Sequence, residues 1–238
     1  MAPTGGTLTK AKVRVDRDAT LTAKTVRIVP TSVDQSVQAK SFDAGDLTLL
    51  TNAINRALCS GLSDRFVVVS PDQPADLVVH ATVTDIVATN RAAAATSTVA
   101  SLGGAALMVP VPRVPVGLGG LSVEAEAAAQ DGSQKAAMLW SRGANMFTTK
   151  ARVSKVGDAY SLSSAFGASF SRLLVDGKDP FKESVTIPSM QRMKASLGGT
   201  PKYEACKQFG SAPGIKGAVA GQLGLPPSWT DKGTASKS

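Results

Sequence analysis

Residues 92–123 form a segment of 32 residues with a single charge, Arg113. The segment reads AAAATSTVASLGGAALMVPVPRVPVGLGGLSV and separates two stretches that alternate as strands do. Pro110, Pro112 and Pro115 each lack a backbone donor, so the segment does not suit the interior of a regular sheet. We name residues 92–123 the insert and expect its apolar side chains to be covered by the fold, by another chain or by a membrane.

Three interpretations of the insert stay open. It is a flap that covers the sheet, a docking or oligomer seam, or a hairpin inserted in a membrane. Its prolines count against regular membrane strands. In the docking interpretation, apolar side chains bury against the partner and Arg113 orients it. The residues predicted to bind a partner are Leu102, Leu107, Met108, Val109, Val111, Arg113, Val114 and Val116.

The remaining periodicity predicts an α+β fold. We expect a small mixed or antiparallel sheet of four to five strands, two amphipathic helices on one face and an irregular C-terminal appendage. The strand-like segments are KTVRIVP, RFVVVS, ADLVVHATVTDIVAT, LSVEAEAAAQ and KAAMLWSRGAN. The last two are joined through Asp131-Gly132, a typical hairpin turn.

Two stretches have the three- and four-residue apolar spacing of helices. The first starts at Asp43 and should stop at Gly61, and the second runs from Asp158 to Leu174. The first apolar stripe consists of Leu47, Leu50, Ile54, Ala57 and Leu58. The second consists of Leu162, Phe166, Phe170 and Leu173.

These patterns predict four regions. Residues 1–24 are polar and irregular, which favours a flexible tether, and residues 25–176 form the α+β domain that carries the insert. Residues 177–230 are rich in proline and should pack back on the domain. Residues 231–238 should be a disordered tail.

The formal net charge of +8 raises the question of nucleic acid. The basic residues are scattered and aromatic residues, 5% of the chain, are not interleaved with them, so no nucleic-acid partner is expected. No run of 18 apolar residues predicts a transmembrane helix. With one histidine and two cysteines the sequence predicts no metal site and no cofactor.

No catalytic constellation is recognisable, and we predict that the protein is not an enzyme. His80 lies within a strand and fits a structural, hydrogen-bonded histidine. Glu124 and Glu126 alternate with alanines on one strand face, which favours a solvated face. The glycines at 117, 119 and 120 lack the helix that a dinucleotide-binding loop requires.

Cys59 and Cys206 leave two alternatives. Cys59 falls on the polar face of the first predicted helix, where a buried inert cysteine would not be expected, and Cys206 lies in the appendage. In an oxidising compartment the two thiols would form a disulfide that fixes the appendage to the helix. Otherwise they stay as two unpaired thiols.

The run from Thr25 to Leu174 resembles the bacterial lipoproteins grouped as domain of unknown function 3313. The matching pieces are KTVRIVP, LTLLTNAINRAL, ADLVVHATVTDI, the glycine-rich insert, VEAEA and the helix at Leu162–Leu174. The order of strands and helices is also similar to envelope modules such as the amino-terminal domain of TolB. Neither resemblance transfers an individual site residue.

The resemblance implies a lipid anchor at the bacterial outer membrane, with the domain on the periplasmic side. The chain begins Met-Ala-Pro-Thr without a leader or an N-terminal cysteine, and we expect Met1 to stand where a lipid-bearing cysteine would be. The implied function is an envelope assembly or interaction module that contacts other envelope proteins or itself. The alternatives are a membrane-associated oligomer with the insert as its seam, such as a ring or secretion accessory, and a hydrolase of envelope polymers.

Overall fold

A seven-stranded mixed sheet organises the computed structural model. The structure describes residues 9–96, 117–145, 149, 152–182, 189–190, 193–194, 197–231 and 233. The strands are β1 (Thr9–Val15), β2 (Thr25–Ile28), β3 (Ser32–Val33), β4 (Val67–Val68), β5 (Leu77–Val87), β6 (Gly120–Ala128) and β7 (Gln134–Gly143). Their order is β1-β7-β6-β5-β2-β4, and β3 pairs with β5.

The sheet is antiparallel in one half and parallel in the other. β1, β7, β6 and β5 pair antiparallel, whereas β2 and β3 pair parallel with β5, and β4 pairs parallel with β2. β2 and β3 are two pieces of one interrupted strand along β5, with Pro30 between them. Proline cannot donate to a strand ladder, and this explains the interruption.

Five α-helices are labelled here: α1 (Arg17–Thr22), α2 (Gln35–Gln38), α3 (Ala44–Leu62), α4 (Gly157–Asp176) and α5 (Gly214–Gln222). Residues 91–96 are also helical. Two 3₁₀ helices, Glu204–Phe209 and Pro227–Trp229, lie in the appendage. The two long helices, α3 and α4, pack against each other and against the same face of the sheet.

The core follows the predicted periodicity. Buried side chains alternate with exposed or half-buried ones along β5, β6 and β7. From α4, Phe166 meets Trp140 of β7 edge to face with ring centroids 5.7 Å apart, and it stacks beside Phe170. A bulge between Val83 and Asp85 turns Ile86, rather than Asp85, into the core.

The α+β class is confirmed, although the sheet has more strands than predicted. The hairpin at Asp131-Gly132 joins β6 to β7, with Gly132 at a φ of +78°. α3 does not stop at Gly61, which is buried within the last turn, and it ends one residue later. Without a side chain, Gly61 fits the core and does not by itself end a helix.

Two predicted region boundaries are wrong. Residues 9–22 belong to the fold, because β1 pairs with β7 over its whole length and α1 follows it. Asp231 is buried, with 3% of its surface exposed, and is bonded to the domain, so the last ordered contacts extend past residue 230. The appendage contacts α3 through the 3₁₀ helix Glu204–Phe209.

Gly167 sets the distance between α3 and α4. A Cβ built there would lie 2.5 Å from the Cβ of Ala57 and 2.9 Å from its carbonyl carbon. We expect Gly167→Ala to lower the free energy of unfolding by about 1–3 kcal/mol, because the helices would have to separate. Urea unfolding measures this change.

Gly45 provides the matched control for that substitution. It lies in the first turn of α3, and a Cβ there would meet nothing within 4 Å. Gly45→Ala should be neutral or stabilising by up to about 1 kcal/mol through helix propensity. Equal effects of the two substitutions would refute the close helix contact.

Candidate functional site

Residues 120–123 of the predicted insert belong to β6, and the two ends of its remaining part are held together by a compact set of hydrogen bonds. We call Thr89, Asn90, Gly117, Gly119 and Asp158 the insert base. Asn90 donates its backbone N–H to the Gly117 carbonyl over 2.9 Å, and Gly119 donates to Oδ2 of Asp158 over 2.7 Å. The Asp158 N–H in turn donates to Oγ1 of Thr89. The insert therefore leaves and rejoins the domain at one point, beside the N-terminus of α4.

The glycines of the insert base are required by close packing. Gly117 has a φ of +67°, and a Cβ there would collide with the Asn90 side chain. A Cβ on Gly119 would lie 2.7 Å from Oγ1 of Thr89 and 2.8 Å from the Val87 carbonyl. The glycine pattern that failed as a dinucleotide-binding loop thus serves to close the insert.

The predicted partner-binding residues lie outside the described part of the chain. All eight, from Leu102 to Val116, fall within residues 97–116. Their prediction stays a prediction. What the structure adds is the rigid point from which that segment starts.

A disulfide joins α3 to the appendage. Cys59 and Cys206 are bonded, with their Cα atoms 5.9 Å apart, and they are 1% and 3% exposed. Of the two alternatives for these thiols, the structure contains the bridge. The apparently polar face of α3 is thus a buried face, covered by the appendage and bonded to it.

A cleft of about 570 Å³ lies beside this disulfide. One wall comes from α3 and α4, and the other from residues 199–213 of the appendage. Much of the surface is apolar, with Ala57, Leu162, Pro201 and Pro213 among the lining residues. Four basic side chains also line it, namely Arg56, Arg142, Arg152 and Lys202. The volume is typical of small-molecule sites.

A buried ion pair involves one of the cleft residues, Arg56. Arg56 of α3 pairs with Asp231, whose side chain is 1% exposed, and also donates to the Phe209 carbonyl over 3.1 Å. The Tyr160 hydroxyl donates to Oδ2 of Asp231 over 2.7 Å. Burial is the main cause that raises the pKa of Tyr160 above its usual value, and the Asp231 carboxylate adds to the shift. This hydroxyl therefore stays protonated.

Arg142 and Arg152 are cleft residues that sequence reasoning missed. Arg142 is the last residue of β7 on the strand face that also carries Met138 and Trp140. Its buried Nε has no hydrogen-bond acceptor among the described residues. The Arg152 guanidinium lies 5.4 Å from the centre of the Tyr160 ring, and burial lowers its pKa. Neither forms an ion pair within the described chain. Each arginine looks unremarkable in its local sequence.

The candidates considered for catalysis lie elsewhere. His80 is exposed on the sheet face opposite the helices and lies across from Glu126 of β6. Glu126 accepts a hydrogen bond from Nε2 of Gln134 over 2.7 Å, and Glu124 is exposed on the same strand face. The structure therefore brings none of these three side chains to the cleft.

Two further properties concern membranes and metals. None of the helices in the described ranges is long and apolar enough to cross a membrane. Across the same ranges, no group of three or more His, Cys, Asp or Glu side chains is placed to hold a metal ion.

The fold and cleft define an α+β domain closed by a disulfide-bonded C-terminal appendage. The chain belongs to the family described as Protein of unknown function (DUF3313), whose model matches residues 1–170. The match includes the insert base and α3, and it stops before the appendage. No curated protein matches the chain significantly.

Among solved structures, the chain is similar to the PelC dodecamer from Paraburkholderia phytofirmans in two crystal forms. The first, a variant PelC, is 12% identical with a TM-score of 0.38, and the match covers 69% of this chain and 97% of that chain. The second is 12% identical with a TM-score of 0.36, with coverage of 66% and 96%. Similarity at this level carries no argument about assembly or function.

Proposed function

We propose that this protein is a binding module of the bacterial cell envelope, anchored by lipid to the outer membrane and exposed to the periplasm. It acts by contact with other envelope components through the insert. The observation that carries this proposal is the disulfide between Cys59 and Cys206. Disulfides of this structural kind persist in oxidising compartments such as the periplasm and are rare in the cytosol.

The insert base supports a contact role. A binding segment works best on a rigid support, because less conformational freedom is lost when the partner binds. The hydrogen bonds of Asn90, Gly119 and Asp158 fix both ends of the insert beside α4. A segment of this length can supply one side of an interface of ordinary size, about 800 Å².

Exposed apolar side chains in the appendage also favour contact with partners. Ile215 and Val219 lie one helical turn apart on α5 and are 68% and 52% exposed, and Trp229 is 63% exposed. Contiguous exposed apolar surface is typical of interaction sites.

Removing the insert tests this function. Deletion of residues 97–116, with a short Gly-Ser link from Thr96 to Gly117, keeps the insert base intact. We expect an unfolding midpoint close to that of the intact protein, because the insert base holds both ends and a shorter connection between them changes closure entropy little. Recovery of cross-linked partners from solubilised envelopes should fall at least about tenfold, since interface centres carry most binding energy.

The matched control is Leu139→Ser, which removes an apolar group 47% exposed on the outer face of β7. It should retain the partners. Unfolding by the deletion would mean that the insert belongs to the core, and unchanged recovery would contradict the proposal. Recovery of the same chain as sole partner would indicate self-association through the insert.

The proposed compartment has its own test. In cells of the source bacterium, quenched in acid and treated with a thiol-reactive polymer, neither cysteine should react until a reductant is added. Radiolabelled palmitate should enter the natural gene product. Reaction of both thiols without reductant would place the protein in a reducing compartment and contradict the location.

A further inference from the structure

The cleft beside the disulfide has a charge that its own walls do not balance. It is lined by Arg56, Arg142, Arg152 and Lys202, and within the described ranges no aspartate or glutamate lines it. The charge of Arg56 is neutralised by its ion pair with Asp231. Lys202 is exposed and donates to the Ser63 carbonyl over 3.0 Å. The other two basic groups form no ion pair in the described ranges, and a single carboxylate, Asp231, acts on both Arg56 and Arg152.

Neither Arg142 nor Arg152 forms an ion pair within the described chain, although the Asp231 carboxylate that pairs with Arg56 also favours the charge of Arg152 from a greater distance. The Nε of Arg142 is buried with no described acceptor, and Arg152 is partly buried over the Tyr160 ring. Removing a guanidinium from water without an anion is unfavourable, and arginine stays charged under all ordinary conditions. An anion in the cleft would relieve this imbalance.

The remainder of the cleft favours an apolar body attached to that anion. Ala53, Ala57, Leu162 and Ala165 provide apolar surface from the two helices, and Pro201 faces them from the appendage. A free inorganic ion would leave most of this surface and of the 570 Å³ unused. Small-molecule sites combine an apolar lining with a few polar groups that orient the ligand.

We propose that this cleft binds an amphiphilic anion, with a carboxylate or phosphate held by Arg142 and Arg152 and an apolar chain along α3 and α4. The guanidinium group suits both head groups, because its donors match two oxygens of a carboxylate or a phosphate. Ser60 adds a hydroxyl group to the same lining, whereas the hydroxyls of Ser161 and Ser164 donate to backbone carbonyls within α4. The site is separate from the insert and does not depend on the contact function.

Calorimetry with defined amphiphiles tests the site. The probes are dodecyl phosphate and dodecanoate, used below their micelle concentrations, beside dodecyl maltoside, dodecyltrimethylammonium and inorganic phosphate. We expect one or both anionic amphiphiles to bind at least about tenfold more tightly than the other three. A preference for phosphate would indicate a phospholipid-like ligand, and a preference for carboxylate would indicate a fatty-acid-like one. Equal binding of dodecyl maltoside, or of inorganic phosphate, would overturn the proposal.

Substitutions locate the binding. Arg142→Gln with Arg152→Gln should weaken the anionic amphiphiles about 10–100-fold, since each charge-assisted contact contributes about 1.5–3 kcal/mol before partial compensation by the remaining contacts. Arg14→Gln, at an exposed arginine of β1, is the matched control and should leave affinity unchanged.

A second variant covers the case in which the double substitution disturbs folding. Ser164→Trp, at an exposed position of α4 that lines the cleft, fills the space and removes no charge. It should reduce affinity at least about tenfold while the helix content stays unchanged. Full affinity in Ser164→Trp, or in a folded Arg142→Gln/Arg152→Gln protein, would refute the assignment.

Discussion

Replacing both Cys59 and Cys206 by alanine should lower the free energy of unfolding by about 3–5 kcal/mol. The bridge joins residues 147 positions apart. A cross-link over so long a loop removes much of the conformational freedom of the unfolded chain, about 5 kcal/mol in the chain-entropy model. Measured effects are usually smaller, because unfolded chains keep some structure.

Urea unfolding with and without reductant measures this contribution. Reductant should shift the intact protein to the midpoint of the alanine variant and leave that variant unchanged. Hydrogen exchange should accelerate in the 3₁₀ helix Glu204–Phe209, which is held on α3 by the bridge. If reductant has no effect on the intact protein, or mass spectrometry under non-reducing conditions finds two free thiols, the bridge is wrong.

Much of the fold could be predicted from local periodicity. The stripe Leu162, Phe166, Phe170 and Leu173 is fully or almost fully buried along α4, and the alternation of β6 holds throughout. In these elements all apolar side chains of the pattern face the same core. The spacing of apolar residues therefore identifies the helix or the strand directly. The hairpin between β6 and β7 could likewise be predicted from local sequence, since Asp-Gly favours this type of turn.

β1 shows where that reasoning failed. Thr9–Val15 also alternates, with Ala11 buried between the exposed Lys10 and Lys12. The sequence predicts a tether for residues 1–24 because they are polar and irregular as a whole. Lysines on an edge strand commonly prevent it from pairing with another chain. The charges of β1 therefore reflect its position at the edge of the sheet.

The cleft could not be predicted because its residues converge only in three dimensions. Arg56 belongs to α3, Arg142 to the end of β7 and Arg152 to the segment before α4, whereas Lys202 belongs to the appendage. No spacing in the sequence relates them. The one relevant signal in the sequence was Cys59 on a polar helix face, because a disulfide to Cys206 would place the appendage over α3 there.

Asp231→Asn should cost about 3–5 kcal/mol of unfolding free energy, although the residue lies only seven positions before Ser238. Its carboxylate is buried with Arg56, whose side chain is 11% exposed, and it accepts the Tyr160 hydroxyl. Without the negative charge, the Arg56 guanidinium would stay desolvated beside a neutral amide. Breaking a buried pair by changing one member is strongly destabilising for this reason.

Asp85→Asn is the control that separates a buried pair from an exposed one. Asp85 pairs with Lys40, and both side chains are about half exposed, at 46% and 45%. Its loss should cost at most about 1 kcal/mol, because water already screens that pair. Urea unfolding of both variants measures the difference.

The double variant Arg56→Met/Asp231→Leu should recover part of the loss, since replacing both charges by apolar groups leaves no unpaired ion. A loss for Asp231→Asn no larger than for Asp85→Asn would mean that Asp231 is solvated, and the C-terminal segment would then not be fixed to α3 and α4 by this pair.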